Sequence, residues 1–111
     1  LGDVYKRQAV VHAVNETIQA AHRVGKPVSV CGEMAGDPAA ALLLIGMGID
    51  SLSMSASSLN RVKWLVQSFS TQRAREILDE VMQMEDAASI RNFLNNELEQ
   101  AGLGGLIRAG R

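Results

Sequence analysis

The sequence has few of the features that mark secreted, membrane-bound or nucleic-acid-binding proteins. It holds one cysteine, so no disulfide can form within the chain. No apolar segment reaches about 18 residues, and no charged start leads into an apolar signal core. Its 11 basic and 12 acidic residues are scattered, which leaves no electrostatic footprint for nucleic acid or an anionic membrane. We expect a soluble, cytoplasmic chain with neither of these partners.

The chain does have enough apolar residues for one modest core. Hydrophobic residues make up 47% of its 111 positions. A complete (β/α)8 barrel needs roughly 250 residues, however, so this length suits only one small domain or a piece of a larger one.

Helical and extended patterns alternate through the first two thirds of the chain. Residues 9–24 carry apolar side chains at helical spacing, and the short β-branched run 28–31 predicts a strand. Residues 39–45 are apolar nearly all round and predict a buried helix. A second strand over 49–55 and a helix over 59–68 follow. This order is typical of a parallel α/β sheet.

Capping residues predict where these helices begin and end. Asp37 is placed to cap the helix that Pro38 opens. Glycines at positions 46 and 48 predict its end, and Ser57 or Ser58 predicts the start of the next helix. Beyond them, the patterns over 71–84 and 86–101 predict two amphipathic helices.

Residues 31–38, CGEMAGDP, are the most informative segment for function. Cys31 ends a strand and Gly32 opens a loop, and in barrel enzymes the side chains that do chemistry lie where a strand meets its loop. A lone cysteine at such a place is more often a small buried apolar residue than a catalyst. Position alone therefore does not decide between the two interpretations.

Other residues that could carry chemistry have simpler explanations. His12 and His22 lie ten positions apart on different helical faces, which suits ordinary helix residues better than a zinc site. The spacing of Glu33 and Asp37 fits no preferred metal site, so we assign Asp37 to capping and leave Glu33 open. Trp64, beside Leu65 and Val66, suggests core or interface packing.

Residues 22–55, together with the segment from about Ala9, resemble the C-terminal part of the phosphoenolpyruvate-utilising enzymes. The pairing of CGEMAGDP with LSMS at residues 52–55 is most similar to phosphoenolpyruvate-protein phosphotransferase, or enzyme I. The closing residues 102–111 are most similar to its nitrogen-type branch. Pyruvate, phosphate dikinase and phosphoenolpyruvate synthase are alternatives with similar strands.

The resemblance implies both a fold and a reaction. The fold is the C-terminal part of a (β/α)8 TIM barrel, its last two strands with their helices, followed by terminal amphipathic helices. The reaction passes phosphoryl from phosphoenolpyruvate through an enzyme histidine to a small phosphocarrier protein and releases pyruvate. Cys31 is implied as the proton donor to the enolate, and Gly32 as a substrate-binding position. A Mg²⁺ cofactor and a homodimer are implied for the whole enzyme, with no metal ligand in this chain.

The same comparison predicts the domain organisation. Residues 6–10 differ from the LHPAV of the family, so we interpret residues 1–8 as a non-native leader. Residues 9–70 are then the barrel portion, and residues 71–111 are terminal helices and tail of the same domain. A non-catalytic α/β module whose amphipathic tail helices bind a partner or a second copy of the chain is the alternative from another functional class.

Overall fold

The computed structural model describes residues 8–102, and the leader at 1–7 and the tail at 103–111 lie outside these residues. The helices and strands follow one another in the order α1 (Gln8–Arg23), β1 (Ser29–Cys31), α2 (Glu33–Gly36), α3 (Pro38–Met47), β2 (Ser51–Ser53), α4 (Ala56–Ser68), α5 (Thr71–Met82) and α6 (Ala87–Gln100). Gln8, which we had placed in the leader, begins α1, and its Nε2 donates to the Met82 carbonyl oxygen over 2.7 Å.

The two strands form a parallel pair, which confirms the predicted α/β class. Ser29, Val30 and Cys31 lie opposite Ser51, Leu52 and Ser53 respectively. The connection between the strands runs through α2 and α3, because parallel neighbours cannot be joined by a tight turn. The chain is otherwise mostly helical.

Helix α3 lies at the centre of the core. Nine of its ten residues are buried, as its uniformly apolar sequence predicted. It packs mainly on α5, with α1, α4 and α6 around it. Residues buried completely on those helices include Ile18, Leu65, Ile77, Leu94 and Leu98. No helix within residues 8–102 is long and apolar enough to cross a membrane.

Gly46 and Gly48 were both predicted to end α3. The prediction was wrong for Gly46 and is confirmed for Gly48. Gly46 lies inside the helix, where a Cβ atom would stand 2.5 Å from the carbonyl oxygen of Ala74. This glycine therefore allows α3 and α5 to pack closely. Gly48 ends the helix at a φ of 87°, and its N–H donates to the carbonyls of Leu44 and Ile45.

Strand β2 is shorter than the predicted 49–55, and α4 begins earlier than the predicted 59. Ile49 follows the Gly48 cap of α3 and lies before β2, and its N–H donates to the Leu44 carbonyl of that helix over 3.1 Å. Ser55 already precedes α4, and its carbonyl accepts from the N–H groups of Ser58 and Leu59. The cap position is thus Ser55, and the prediction of Ser57 or Ser58 was wrong.

Candidate active site

Cys31 and Ser53 are the last residues of the two parallel strands and lie side by side. They are partners in the register, and the N–H of Gly32 donates to the Ser53 carbonyl over 3.1 Å. The Cys31 thiol is free and exposed. The carboxyl ends of neighbouring parallel strands share one edge of the sheet, so the residues that carry the candidate thiol and a hydroxyl group are neighbours there.

The sheet has one apolar face and one small polar face. Val30 and Leu52 are half-buried and pack against the core. Side chains that alternate with these two along the strands point to the other face of the sheet. The residues on that face are all exposed, and they are Ser29, Cys31, Ser51 and Ser53. The first pair on this face is already in contact, because the Oγ atoms of Ser29 and Ser51 are 2.5 Å apart. The polar face therefore ends in the Cys31–Ser53 pair.

Gly32 adopts a backbone conformation that favours glycine. Its φ of 96° lies in the region that side chains rarely adopt, whereas a Cβ atom built on it would meet nothing within 4 Å. The glycine lets the chain turn sharply between Cys31 and α2. Its role in binding substrate stays a prediction.

The loop after Cys31 is held by a short helix that the sequence did not predict. Helix α2 has only four residues, too few for a periodic signal. Its Gly36 packs so closely on α4 that a Cβ atom would stand 2.8 Å from the Ser58 Oγ. The loops after both strands are therefore packed together behind the site.

The carboxylates near Cys31 do not form a metal site in the described chain. Asp37 caps α3 as predicted, with Oδ2 accepting from the Ala40 N–H over 3.0 Å. Glu33 is exposed at the start of α2. Across residues 8–102, no three His, Cys, Asp or Glu side chains are grouped closely enough to hold a metal ion. The residues present thus do not fit a Mg²⁺ site.

His22 and Asp50 form a contact at the opposite end of the strands. Asp50 Oδ2 lies 2.8 Å from His22 Nε2 and also accepts from the Val28 N–H over 2.7 Å. The hydrogen bond with His22, and next the one from Val28, lower the pKa of the Asp50 carboxyl below its usual 3.8. We had interpreted His22 as an ordinary helix residue, but it ties α1 to the loop before β2. His12 is an exposed residue of α1.

Trp64 does not pack in the core. Its side chain is 61% exposed, and those of Leu59 and Val66 on the same helix are also exposed. Leu65 is fully buried and makes the core contact. The interpretation of Trp64 as a core residue was therefore wrong, while interface packing stays a prediction.

A family profile and individual known proteins both relate this chain to phosphoenolpyruvate-utilising enzymes. The sequence profile of the family described as PEP-utilising enzyme, PEP-binding domain, matches residues 5–71. Phosphoenolpyruvate-protein phosphotransferase of Haloferax volcanii is 42% identical over 94 residues, which are 85% of this chain and 16% of that protein. The Haemophilus influenzae protein of that name is 39% identical over 95 residues (86% and 16%), and the Cupriavidus necator one 44% over 89 residues (77% and 15%). The chain thus spans about one sixth of the length of these curated relatives.

Proposed function

The chain belongs to the PEP-utilising enzyme family, through its PEP-binding domain, and on that premise we propose that it is the proton-donating part of a phosphoenolpyruvate-protein phosphotransferase. The whole enzyme takes phosphoryl from phosphoenolpyruvate onto a histidine and passes it to a small phosphocarrier protein. Pyruvate leaves as the second product. Relatives that bear this name match most of the chain, which supports the proposal.

The observation that carries the proposal is the place of Cys31. Its thiol is exposed at the carboxyl end of a parallel strand, next to a loop that turns at once through Gly32. Catalytic side chains of parallel α/β barrels occupy such strand ends.

Proton donation to an enolate suits a thiol in this place. When the phosphorus–oxygen bond of phosphoenolpyruvate breaks, the enolate of pyruvate remains, and it must gain a proton at C3 from one face. Thiols have an ordinary pKa of about 8.5, so they hold their proton at neutral pH and release it more readily than a hydroxyl does. A positioned acid of this kind is worth about 10²- to 10⁴-fold in rate.

The polar face of the sheet supports a barrel in the whole enzyme. In a (β/α)8 barrel, helices cover the outside of the strands and side chains line the inside. The helical core covers the face with Val30 and Leu52, so Ser29, Cys31, Ser51 and Ser53 would face the barrel interior. We infer that β1 and β2 are the last two strands of such a barrel, and that the strands missing here pair with their open edges.

The remaining groups of the reaction belong to other parts of the enzyme in this proposal. Residues 8–102 do not fit a Mg²⁺ site, so the metal would be bound by residues outside them, as would the phosphorylated histidine. The exposed Trp64, Leu59 and Val66 of α4 favour a contact with another part of the enzyme or with a second subunit.

A chimera tests the proposed function. The 94-residue segment of the Haloferax volcanii relative that matches this chain would be replaced by the corresponding residues of the chain. We expect the chimera to form phosphohistidine and pyruvate from phosphoenolpyruvate in a single turnover. Cys31→Ala should slow pyruvate formation about 10²- to 10⁴-fold and still allow phosphohistidine to form.

Cys31→Ser is the matched control for size. A serine hydroxyl is a far weaker acid than a thiol, so this variant should be slow as well. A Cys31→Ala chimera that makes pyruvate as fast as the unmodified chimera would contradict the proposal, and so would one that binds substrate but forms no phosphohistidine.

A further inference from the structure

We propose that Ser53 is a positioning residue for Cys31. The Ser53 hydroxyl donates a hydrogen bond to the Cys31 sulfur once the thiol has lost its proton. The inference rests on the proposed function of Cys31 as an acid. It adds a second group to the site, from the neighbouring strand, for which the sequence alone gave no indication.

The parallel register carries the inference. Cys31 and Ser53 are direct partners, and neighbouring strands lie about 4.8 Å apart. Both side chains are exposed on the same face of the sheet. Exposed side chains change rotamer within nanoseconds, so the hydroxyl can turn toward the sulfur without disturbing the core.

The preceding pair shows that this register brings side-chain ends into hydrogen-bond contact. Ser29 and Ser51 lie two residues earlier on the same face, and their Oγ atoms are 2.5 Å apart. The backbone bond from the Gly32 N–H to the Ser53 carbonyl extends the ladder to the end of both strands. Cys31 and Ser53 are the next partners on that face in the same register.

The chemical step shows what the hydroxyl would contribute. The S–H bond of Cys31 breaks, and the C2–C3 π electron pair of the pyruvate enolate forms the new C–H bond at C3 while the enolate oxygen becomes the ketone carbonyl. The electron pair of the S–H bond stays on the sulfur as a thiolate. The Ser53 O–H keeps its proton and donates to this thiolate. A hydrogen bond to the charged form of an acid favours that form, so the thiol gives up its proton more readily. Water then returns a proton to the exposed sulfur.

Alkylation of Cys31 tests the inference without any substrate. It uses the full 111-residue chain, in which Cys31 is the single cysteine and hence the single thiol that iodoacetamide can modify. Iodoacetamide reacts with the thiolate, so the rate against pH reports the thiolate population. Losing one charge-assisted hydrogen bond should lower that population about tenfold near neutral pH.

The more basic thiolate is also more nucleophilic, with a Brønsted coefficient of about 0.4–0.5, so the alkylation rate of Ser53→Ala should fall only about threefold. Its pH–rate profile should move to higher pH. Ser53→Thr keeps the hydroxyl and should restore the original rate. Ser51→Ala is the matched control, since it removes a hydroxyl from the same strand and face two residues away, and it should leave the rate unchanged.

Two outcomes would overturn the inference: equal rates for Ser53→Ala and the original chain, or equal effects of Ser53→Ala and Ser51→Ala. Circular dichroism of each variant verifies that the fold persists. Failure here is distinguishable from failure of the proposed function. Alkylation reports the effect of Ser53 on the Cys31 thiol alone, whereas the chimera with Cys31→Ala reports whether the thiol takes part in pyruvate formation.

Discussion

Gly46→Ala should destabilise the chain, although alanine is normally the better helix residue. A Cβ atom at this position would stand 2.5 Å from the Ala74 carbonyl oxygen, 3.0 Å from its carbon and 3.1 Å from the Leu78 Cβ. Real Cβ contacts are essentially never closer than 3.0 Å. Since the nearest atoms belong to the backbone of α5, they cannot rotate away, and the two helices must separate by up to about 1 Å.

The two opposing effects can be compared in magnitude. Alanine gains about 1 kcal/mol over glycine in an exposed helix interior. Overpacking in a well-packed core costs typically about 1–3 kcal/mol and occasionally more. The contact here is with backbone in the most buried helix, so we expect the upper part of that range and a net loss of about 1–2 kcal/mol. For a chain of this size that lowers the melting temperature by roughly 5–10 °C.

Thermal and urea unfolding, followed by circular dichroism, would measure the effect. Gly46→Ala should lower both midpoints, because the closest contact is with the Ala74 carbonyl, which belongs to the backbone. A Gly46→Ala chain as stable as the original would refute the close packing of α3 on α5.

Three other predictions follow from the structure. Because Asp50 has a lowered pKa in the folded chain, its stabilising contribution is present above the usual carboxyl pKa of 3.8 and is lost as pH falls through the lower folded value. Asp50→Ala should therefore lower the urea midpoint at pH 7, and the difference should shrink in acid; a difference independent of pH would contradict this. Leu94→Ala, at a fully buried site on α6, should cost about 2–5 kcal/mol in urea unfolding, whereas exposed Glu99→Ala should stay within about 0.5 kcal/mol. The 111-residue chain alone should transfer no phosphoryl from phosphoenolpyruvate in a radiolabel assay, because the proposal places the metal and histidine elsewhere; measurable transfer would show that the chain is sufficient.

The sequence predicted the elements whose signals are local. The buried helix α3 follows from its continuous apolar run, and its start follows from Asp37, whose carboxylate caps the helix as expected. The position of Cys31 at the end of a strand could also be predicted, because a β-branched run precedes it and glycine follows it. These features depend on neighbours within a few residues.

The features that depend on distant residues could not be predicted. Gly46 resembles a helix terminator until α5 is packed against it, and only the contact with Ala74 explains it. His22 and Asp50 are 28 positions apart, and a histidine on a helix carries no indication of its partner. Ser53 became a candidate site residue only because the strand register pairs it with Cys31. The sequences of two short strands do not specify that register on their own.

Hydrogen exchange at the methyl group of pyruvate tests the central claim most directly. In D₂O, an enzyme that protonates enolpyruvate must also run that step backward, so the Cys31 thiolate should remove methyl protons from bound pyruvate and return deuterons. We predict that the chimera described above exchanges these protons, as seen by loss of the methyl signal in proton NMR. Its Cys31→Ala variant should exchange no faster than buffer. Equal exchange by both proteins would contradict the assignment of Cys31 as the proton donor.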